Sequence, residues 1–426
     1  MRNNISDEHI QKTLQKALKQ NFISADDTAC IFYDLTFLEE RLNNLIRIFP
    51  ENTLHAIAVK ANPLIAILHF LKEKNFGLEV ATLPELYLAQ KVNVESGKIV
   101  FDSPAKTTAE IEYAIENGVN LNADSFAELE RISRVITKYN LHSNIGLRIN
   151  PQIGIGTIKS TSVAGNYSKF GIPVTENHEK IIAAFQKHHW LNSIHLHIGS
   201  QGCSLKQLSD GVKIVYDLAC EINHMTSHNH QKIKYFDIGG GLPVDYYKEE
   251  PAFTLEDYTD SLKTKCPELF SSFNLITEFG RYIHANTGWV MSRVEYVKED
   301  RDCKTAMIHV GADLFLRKCY RPDDWHHEIM VFDKNGAYKY GTDDKPYTIA
   351  GPLCFAGDMI AQNISLPQVN VGDLIIIQDT GAYTLSMWSR YNSRQIPKVL
   401  GYLENGAEFK ILRKRERLHS LFEFWS

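Results

Sequence analysis

Lys60 closes the apolar run LHAIAV (54–59) and is followed by Ala61, Asn62 and Pro63. A lysine so placed is either a solvated residue at a strand end or an amine held in a pocket, where burial lowers its pKa and makes it a nucleophile toward an aldehyde. Other chemistry-bearing residues also fall at or near the ends of apolar runs: Glu79 in GLEVAT, His197 and Ser200 in HLHIGS, Gly239, Gly240 and Gly241 after YFDI, and Glu278 and Arg281 in EFGR. Three successive glycines form either a tight turn or a loop that brings bare N–H groups to an anion. Glu278 is either half of a local pair with Arg281 or a carboxylate that keeps a ring nitrogen protonated, and His197 is either a satisfied core histidine or a flat ring stacked on a ligand. Two later stretches, GPLCFAGD (351–358) and GAYTLSMWSRYNSR (381–394), add Cys354, Asp358, Tyr383 and Tyr391. A single cysteine among apolar neighbours is inert or reactive according to its surroundings, and composition does not decide which.

Those residues need elements that set them side by side. Apolar strands recur at 53–60, 76–82, 98–103, 119–125, 145–150, 193–200, 235–241 and 274–281, with helical spacing between them at 84–91, 108–116 and 126–138. Strands alternating with helices predict a parallel sheet with helices outside it. Eight is the strand count of a closed (β/α)8 barrel, and the GxGxxG fingerprint of the competing open, doubly wound sheet is missing. In a barrel, catalytic residues sit at the C-terminal ends of the strands, where these residues fall.

Beyond residue 285 the helical spacing gives way to β-rich runs at 289–297, 304–309, 346–350, 374–379 and 397–402. The expected class is therefore α/β, a (β/α)8 TIM-like barrel followed by a mostly β C-terminal domain. An amphipathic helix over residues 1–25 and a strand at 28–35 precede the barrel, in which the strand has no place, so it is expected to pair with the β domain. The expected division is 1–35 for the N-terminal helix and strand, 36–285 for the barrel and 286–426 for the β domain.

Composition narrows the functional classes. The 426-residue chain suggests two or three domains, and 44% hydrophobic with 23% charged residues is an ordinary globular mix. A formal charge of −5 without a long basic run gives no sign of a nucleic-acid partner. No stretch approaches the roughly 18 apolar residues that span a bilayer, and the polar N-terminus lacks the apolar core of a signal peptide. Seven scattered cysteines without CxxC spacing indicate neither a disulfide framework nor a metal site, and point to a reducing, cytoplasmic setting.

Taken together, AVKAN around Lys60, GLEVAT, HIGSQ, DIGGGLP, EFGR, GPLCFAGD and GAY followed by YNSR resemble, in order and spacing, the pyridoxal-phosphate decarboxylases of the alanine-racemase-like fold. Diaminopimelate decarboxylases are the nearest group, with ornithine and arginine decarboxylases as cousins. The resemblance covers residues 28 to 400 or so. It implies pyridoxal 5'-phosphate held covalently at Lys60, His197 stacked on its ring and Glu278 paired with its pyridine nitrogen. Ser200, the Gly239 to Gly241 run and Tyr383 would hold the phosphate, with Arg281 there or at a substrate carboxylate. Cys354 and Asp358 would cross from a second subunit of a head-to-tail homodimer, with Cys354 as proton donor to the α-carbon. The implied reaction is decarboxylation of an amino acid, meso-diaminopimelate to lysine being first in line.

The chain departs from this pattern at the end of the site that reads the substrate. Diaminopimelate decarboxylases usually carry glutamate directly after the motif cysteine, and ornithine decarboxylases aspartate; Phe355 stands here. The family's Arg-Pro-x-x-Tyr segment corresponds either to Arg321, Pro322 and Trp325 or to Arg317 with Tyr320, and Phe279 replaces the usual proline before Gly280. Decarboxylation of another diamino acid or of a modified amino acid, as in siderophore metabolism, is the alternative. A racemase would need a second base opposite Lys60, and a non-catalytic relative would be expected to lose Lys60 or Cys354, both of which are present.

Overall fold

The computed structural model describes residues 4–139, 142–226, 232–246, 253–300, 303–341, 344–404 and 406–426. Two units emerge. One comprises Leu42–Val244 and Ala252–Tyr282, the other Met1–Arg41, Asp245–Pro251 and Ile283–Ser426.

In the second of these units, the first strand, β1 (Ala29–Asp34), is fully buried along ACIFYD. The remaining strands follow those of the other unit in the chain.

The first unit is the barrel. Its strands are β2 (Leu54–Ala58), β3 (Gly77–Val80), β4 (Ile99–Asp102), β5 (Asn120–Ala123), β6 (Ile145–Asn150), the two-residue β7 (Ile172–Pro173), β8 (Leu191–His195), β9 (Tyr235–Asp237) and β10 (Asn274–Thr277). Apart from β7, which pairs with β6, eight parallel strands run in sequence order and close where β10 meets β2. The strands are short and buried nearly throughout, as in a sheet covered outside by helices and filled inside by side chains. Helix starts are written into the sequence. Thr82 and Ser125 cap the helices Leu83–Lys91 and Phe126–Ile136, and Thr107 with Glu110 forms a capping box on Thr108–Glu116.

In the other unit, β1 lies between β11 (Gly288–Arg293), antiparallel, and the strand Lys398–Leu403, parallel. That six-stranded sheet is completed by Ile329–Phe332, Leu374–Ile377 and Glu408–Arg413, and a four-stranded sheet holds Tyr296–Asp300, Cys303–Met307, Lys345–Ala350 and Met359–Leu366. The expected pairing of the N-terminal strand with the β domain is what the sheet shows. Its energetic reason is burial: Phe32 of β1 stacks on Trp289 of β11, ring centroids 3.8 Å apart. The helix Asp7–Lys19 adds Ile10, Leu14 and Ala17 to the same core. Ile329–Phe332, Met359–Leu366, Glu408–Arg413 and the final helix Leu418–Trp425 have no counterpart among the elements expected from the sequence.

Candidate active site

Lys60 stands in the 3-10 turn Val59–Ala61 directly after β2, at the C-terminal end of the barrel strands. Its Nζ donates to both carboxylate oxygens of Glu79, at 2.7 and 2.6 Å. Glu79 belongs to β3 and its side chain is wholly buried, whereas that of Lys60 is 40% exposed. Burial raises the Glu79 carboxyl, and although Lys60 opposes this, it reaches about 8. The amine is thus tethered by a buried acid and open to solvent on its other side.

The segment after β8 carries His197 and Ser200, and the glycine run after β9 packs against it. A Cβ on Gly239 would sit 2.3 Å from the Leu196 carbonyl oxygen, and one on Gly240 would sit 2.4 Å from that of Glu278. Gly239 and Gly241 also have φ of +65° and +109°, which side chains disfavour. Glycine at these positions therefore lets the strand ends close on one another. The amides are not all bare: Gly239 donates to Asp237 Oδ1 at 2.9 Å and Gly240 to His197 Nδ1 at 3.1 Å. The amide of Gly241 donates to no group among the described residues. The bond from Gly240 makes His197 Nδ1 an acceptor. Burial, with Arg148 and Lys60 nearby, pushes that ring down to about 3, so it is neutral. Gly240→Ala should shift this junction and lower cofactor affinity at least about 10-fold, measured by absorbance titration of the apoprotein.

Glu278 follows β10, and its buried Oε1 has no hydrogen-bond partner among the described residues. Arg281 Nε donates to Ser200 Oγ at 2.9 Å. The barrel therefore brings together Lys60, His197, Ser200, Gly239, Gly240, Gly241, Glu278 and Arg281, which are scattered over more than two hundred residues of sequence.

Four further groups lie beside them that the sequence reading passed over: Asp102, Arg148, His195 and Asp237. Arg148 Nη1 donates to Asp102 Oδ2 at 2.7 Å, and the fully buried His195 lies between Asp102 and Glu278. A signal for them existed, because each is an ionisable residue inside a short apolar strand, where parallel barrels seldom carry charge.

In the β unit, Cys354 is exposed, its N–H bound by Asn392 Oδ1 at 2.8 Å and its carbonyl by the Tyr391 hydroxyl at 3.0 Å. Phe355 stacks on Tyr320 at 5.5 Å and meets Tyr391 edge-on at 6.3 Å. Asp358 accepts from the amides of Ala312 and Leu353, both at 2.6 Å, so each of its oxygens is spent on holding this loop. Of the two candidate arginines, Arg317 lies 3.8 Å over the Trp325 ring and 5.2 Å from the Tyr383 ring, whereas Arg321 is exposed. Tyr383 takes a left-handed φ of +56°.

Comparison with known proteins decides the family. The pyridoxal-dependent decarboxylases, through their pyridoxal binding domain, match residues 35–285. The chain belongs to this family. Diaminopimelate decarboxylase of Helicobacter pylori strain J99 is 31% identical over 401 residues, covering 93% of this chain and 95% of that one. That of Archaeoglobus fulgidus is also 31% identical, over 86% and 85% of the two chains. Among solved structures, diaminopimelate decarboxylase from Helicobacter pylori complexed with L-lysine superposes with a TM-score of 0.85 at 28% identity, covering 96% of this chain and 99% of that one.

As a pyridoxal-dependent decarboxylase, the protein is a carboxy-lyase whose cofactor is pyridoxal 5'-phosphate. The barrel mouth fits that group. It offers an amine, a buried carboxylate oxygen with no partner, and a side-chain-free glycine loop with an open amide beside Arg281 and Ser200. No helix among the described residues is long and apolar enough to cross a membrane.

Proposed function

We propose that the protein decarboxylates meso-diaminopimelate to lysine, working as a cytoplasmic homodimer with shared active sites. The observation that carries the substrate is similarity over 93% of this chain and 95% of a relative named diaminopimelate decarboxylase. Free thiols at all seven cysteines suit a reducing compartment.

When bound, pyridoxal phosphate takes up the electron pair released as CO2 departs. Lys60 would hold the cofactor's aldehyde carbon, with Glu79 beside it to keep the lysine in place. Glu278 would present Oε1 to the ring nitrogen and keep it protonated. His197, neutral and held by the Gly240 amide, would stack against the ring without placing a second positive charge there. Ser200, the Gly241 amide and Arg281 would receive the phosphate, and Gly239 and Gly240, whose amides are taken by Asp237 and His197, would leave room for it. Arg317 is preferred to Arg321 for a substrate carboxylate because it is the one held between two aromatic rings. Asp358 shapes the loop that presents Cys354 of the second copy, and the Cys354 thiol donates the proton that replaces CO2 on the α-carbon. Cys354→Ala should lower turnover about 100-fold and alter the product ratio, while leaving cofactor affinity unchanged. Product analysis by mass spectrometry checks this, and unchanged turnover and product would remove the thiol from the reaction.

A second reading rests on Phe355. Its packing between Tyr320 and Tyr391 gives the distal end of the substrate an aromatic surface where the family usually has an acid. A substrate whose distal amine is blocked, such as a conjugated amino acid, would suit that surface. The test is CO2 release from purified protein across meso-diaminopimelate, ornithine, lysine, arginine and carboxylated polyamine precursors. Release confined to meso-diaminopimelate supports the first reading, and release from none points to a conjugate. Phe355→Glu should raise kcat/KM for meso-diaminopimelate about 10-fold, because a carboxylate would then meet the distal ammonium. An unchanged value would take position 355 out of substrate recognition.

A further inference from the structure

A row of buried charged groups crosses the barrel behind the groups assigned above. Arg148 on β6 binds Oδ2 of Asp102 at the end of β4, at 2.7 Å. The other oxygen of Asp102 lies 3.8 Å from His195 Nδ1, and His195 Nε2 lies 3.4 Å from Glu278 Oε2. The His195 side chain is wholly inaccessible, and neither ring nitrogen has a hydrogen-bond partner of ordinary geometry among the described residues. A neutral imidazole in this position would turn at least one lone pair toward a carboxylate. Only the doubly protonated ring offers an N–H to both sides.

From this geometry we propose that His195 is a positioning residue, a permanent imidazolium that links Asp102 to Glu278 and holds Glu278 ionised and aimed before the cofactor arrives. The proposal rests on the reading of Glu278 as partner of the ring nitrogen. The surrounding groups agree with it. His195 is faced by Asp102 from β4, Asp237 from β9 and Glu278 after β10, while Arg148 on β6 supplies the charge that keeps Asp102 anionic. Burial opposes charge on His195, yet Glu278, Asp102 and Asp237 together lift it to about 9. Asp237 is itself pushed well above the usual carboxylate range by burial and by Glu278. The row then reads plus, minus, plus, minus from Arg148 to Glu278. Oε2 of Glu278 faces His195 at 3.4 Å, and its Oε1 has no hydrogen-bond partner among the described residues.

The direct test is nitrogen NMR of the histidine rings in the wild-type protein, with and without cofactor. One histidine is expected to keep both ring nitrogens protonated at pH 8, where an ordinary histidine is neutral, and its signal should vanish in His195→Gln or His195→Asn. Absence of any such ring overturns the proposal even if neither variant folds. The second arm is a double-mutant cycle read by cofactor affinity. His195→Gln should weaken binding about 10-fold alone and less than about 2-fold in a Glu278→Gln background. Equal losses in both backgrounds would mark His195 as merely structural and overturn the proposal. If Glu278→Gln left cofactor affinity and turnover intact, the reading of Glu278 would fail, and the NMR arm would still report on His195 separately.

Discussion

Replacement of Lys60 by alanine is expected to remove the visible absorbance of bound cofactor and to lower turnover at least about 10,000-fold. Lys60 is the residue that the turn after β2 delivers to the mouth of the barrel. The change also strands Glu79. With Lys60 present, burial already raises that carboxyl to about 8, and without its partner it rises further. The sign of the stability effect follows. A carboxyl with a raised folded pKa binds its proton more tightly in the native state, so stability falls as pH climbs from the usual carboxylate range toward the folded pKa. In the variant that decline should extend past pH 8, and Tm recorded between pH 5 and 9 checks it. A Tm in Lys60→Ala with the same pH dependence as the wild type would mean that Glu79 does not depend on the lysine.

Glu278→Gln should produce the second large effect, a fall in kcat of about 100- to 1,000-fold with cofactor still bound. Glutamine keeps the volume and one acceptor but carries no charge to stabilise a protonated ring nitrogen. Glu278 is suited to that task because, although burial would raise it, His195 keeps it below the usual carboxylate range. Stopped-flow absorbance and steady-state CO2 release together separate a lost electron sink from lost binding. If KM for substrate rises while kcat holds, Glu278 acts in binding instead.

Much of this arrangement was legible in the chain. The barrel announced itself because its strands are buried on both faces and so read as continuous apolar runs, each ending in a turn signal. Lys60, His197 and Glu278 stood out because their side chains interrupt or end those runs. His195 follows the same rule but was overshadowed by His197, two residues on. Asp102 and Arg148 each look like isolated charges, and their pairing across 46 residues exists only once β4, β5 and β6 lie side by side. The glycine run suits either a tight turn or bare amides turned toward an anion, and in the fold Asp237 and His197 take two of its three amides. Such contacts depend on closure of the sheet, which no local pattern encodes. In the β unit, the strand Glu408–Arg413 escaped notice because it is a largely solvated edge with little apolar alternation, and Ile329–Phe332 because it has only four residues.

Borohydride reduction of the cofactor-loaded protein, followed by proteolysis and mass spectrometry, tests most directly whether Lys60 is the centre of this chemistry. The reduced cofactor should be found on the peptide containing Ala58–Asn62, attached to Lys60, and nowhere else in the chain. Attachment to a different lysine, or to none, would contradict the assignment.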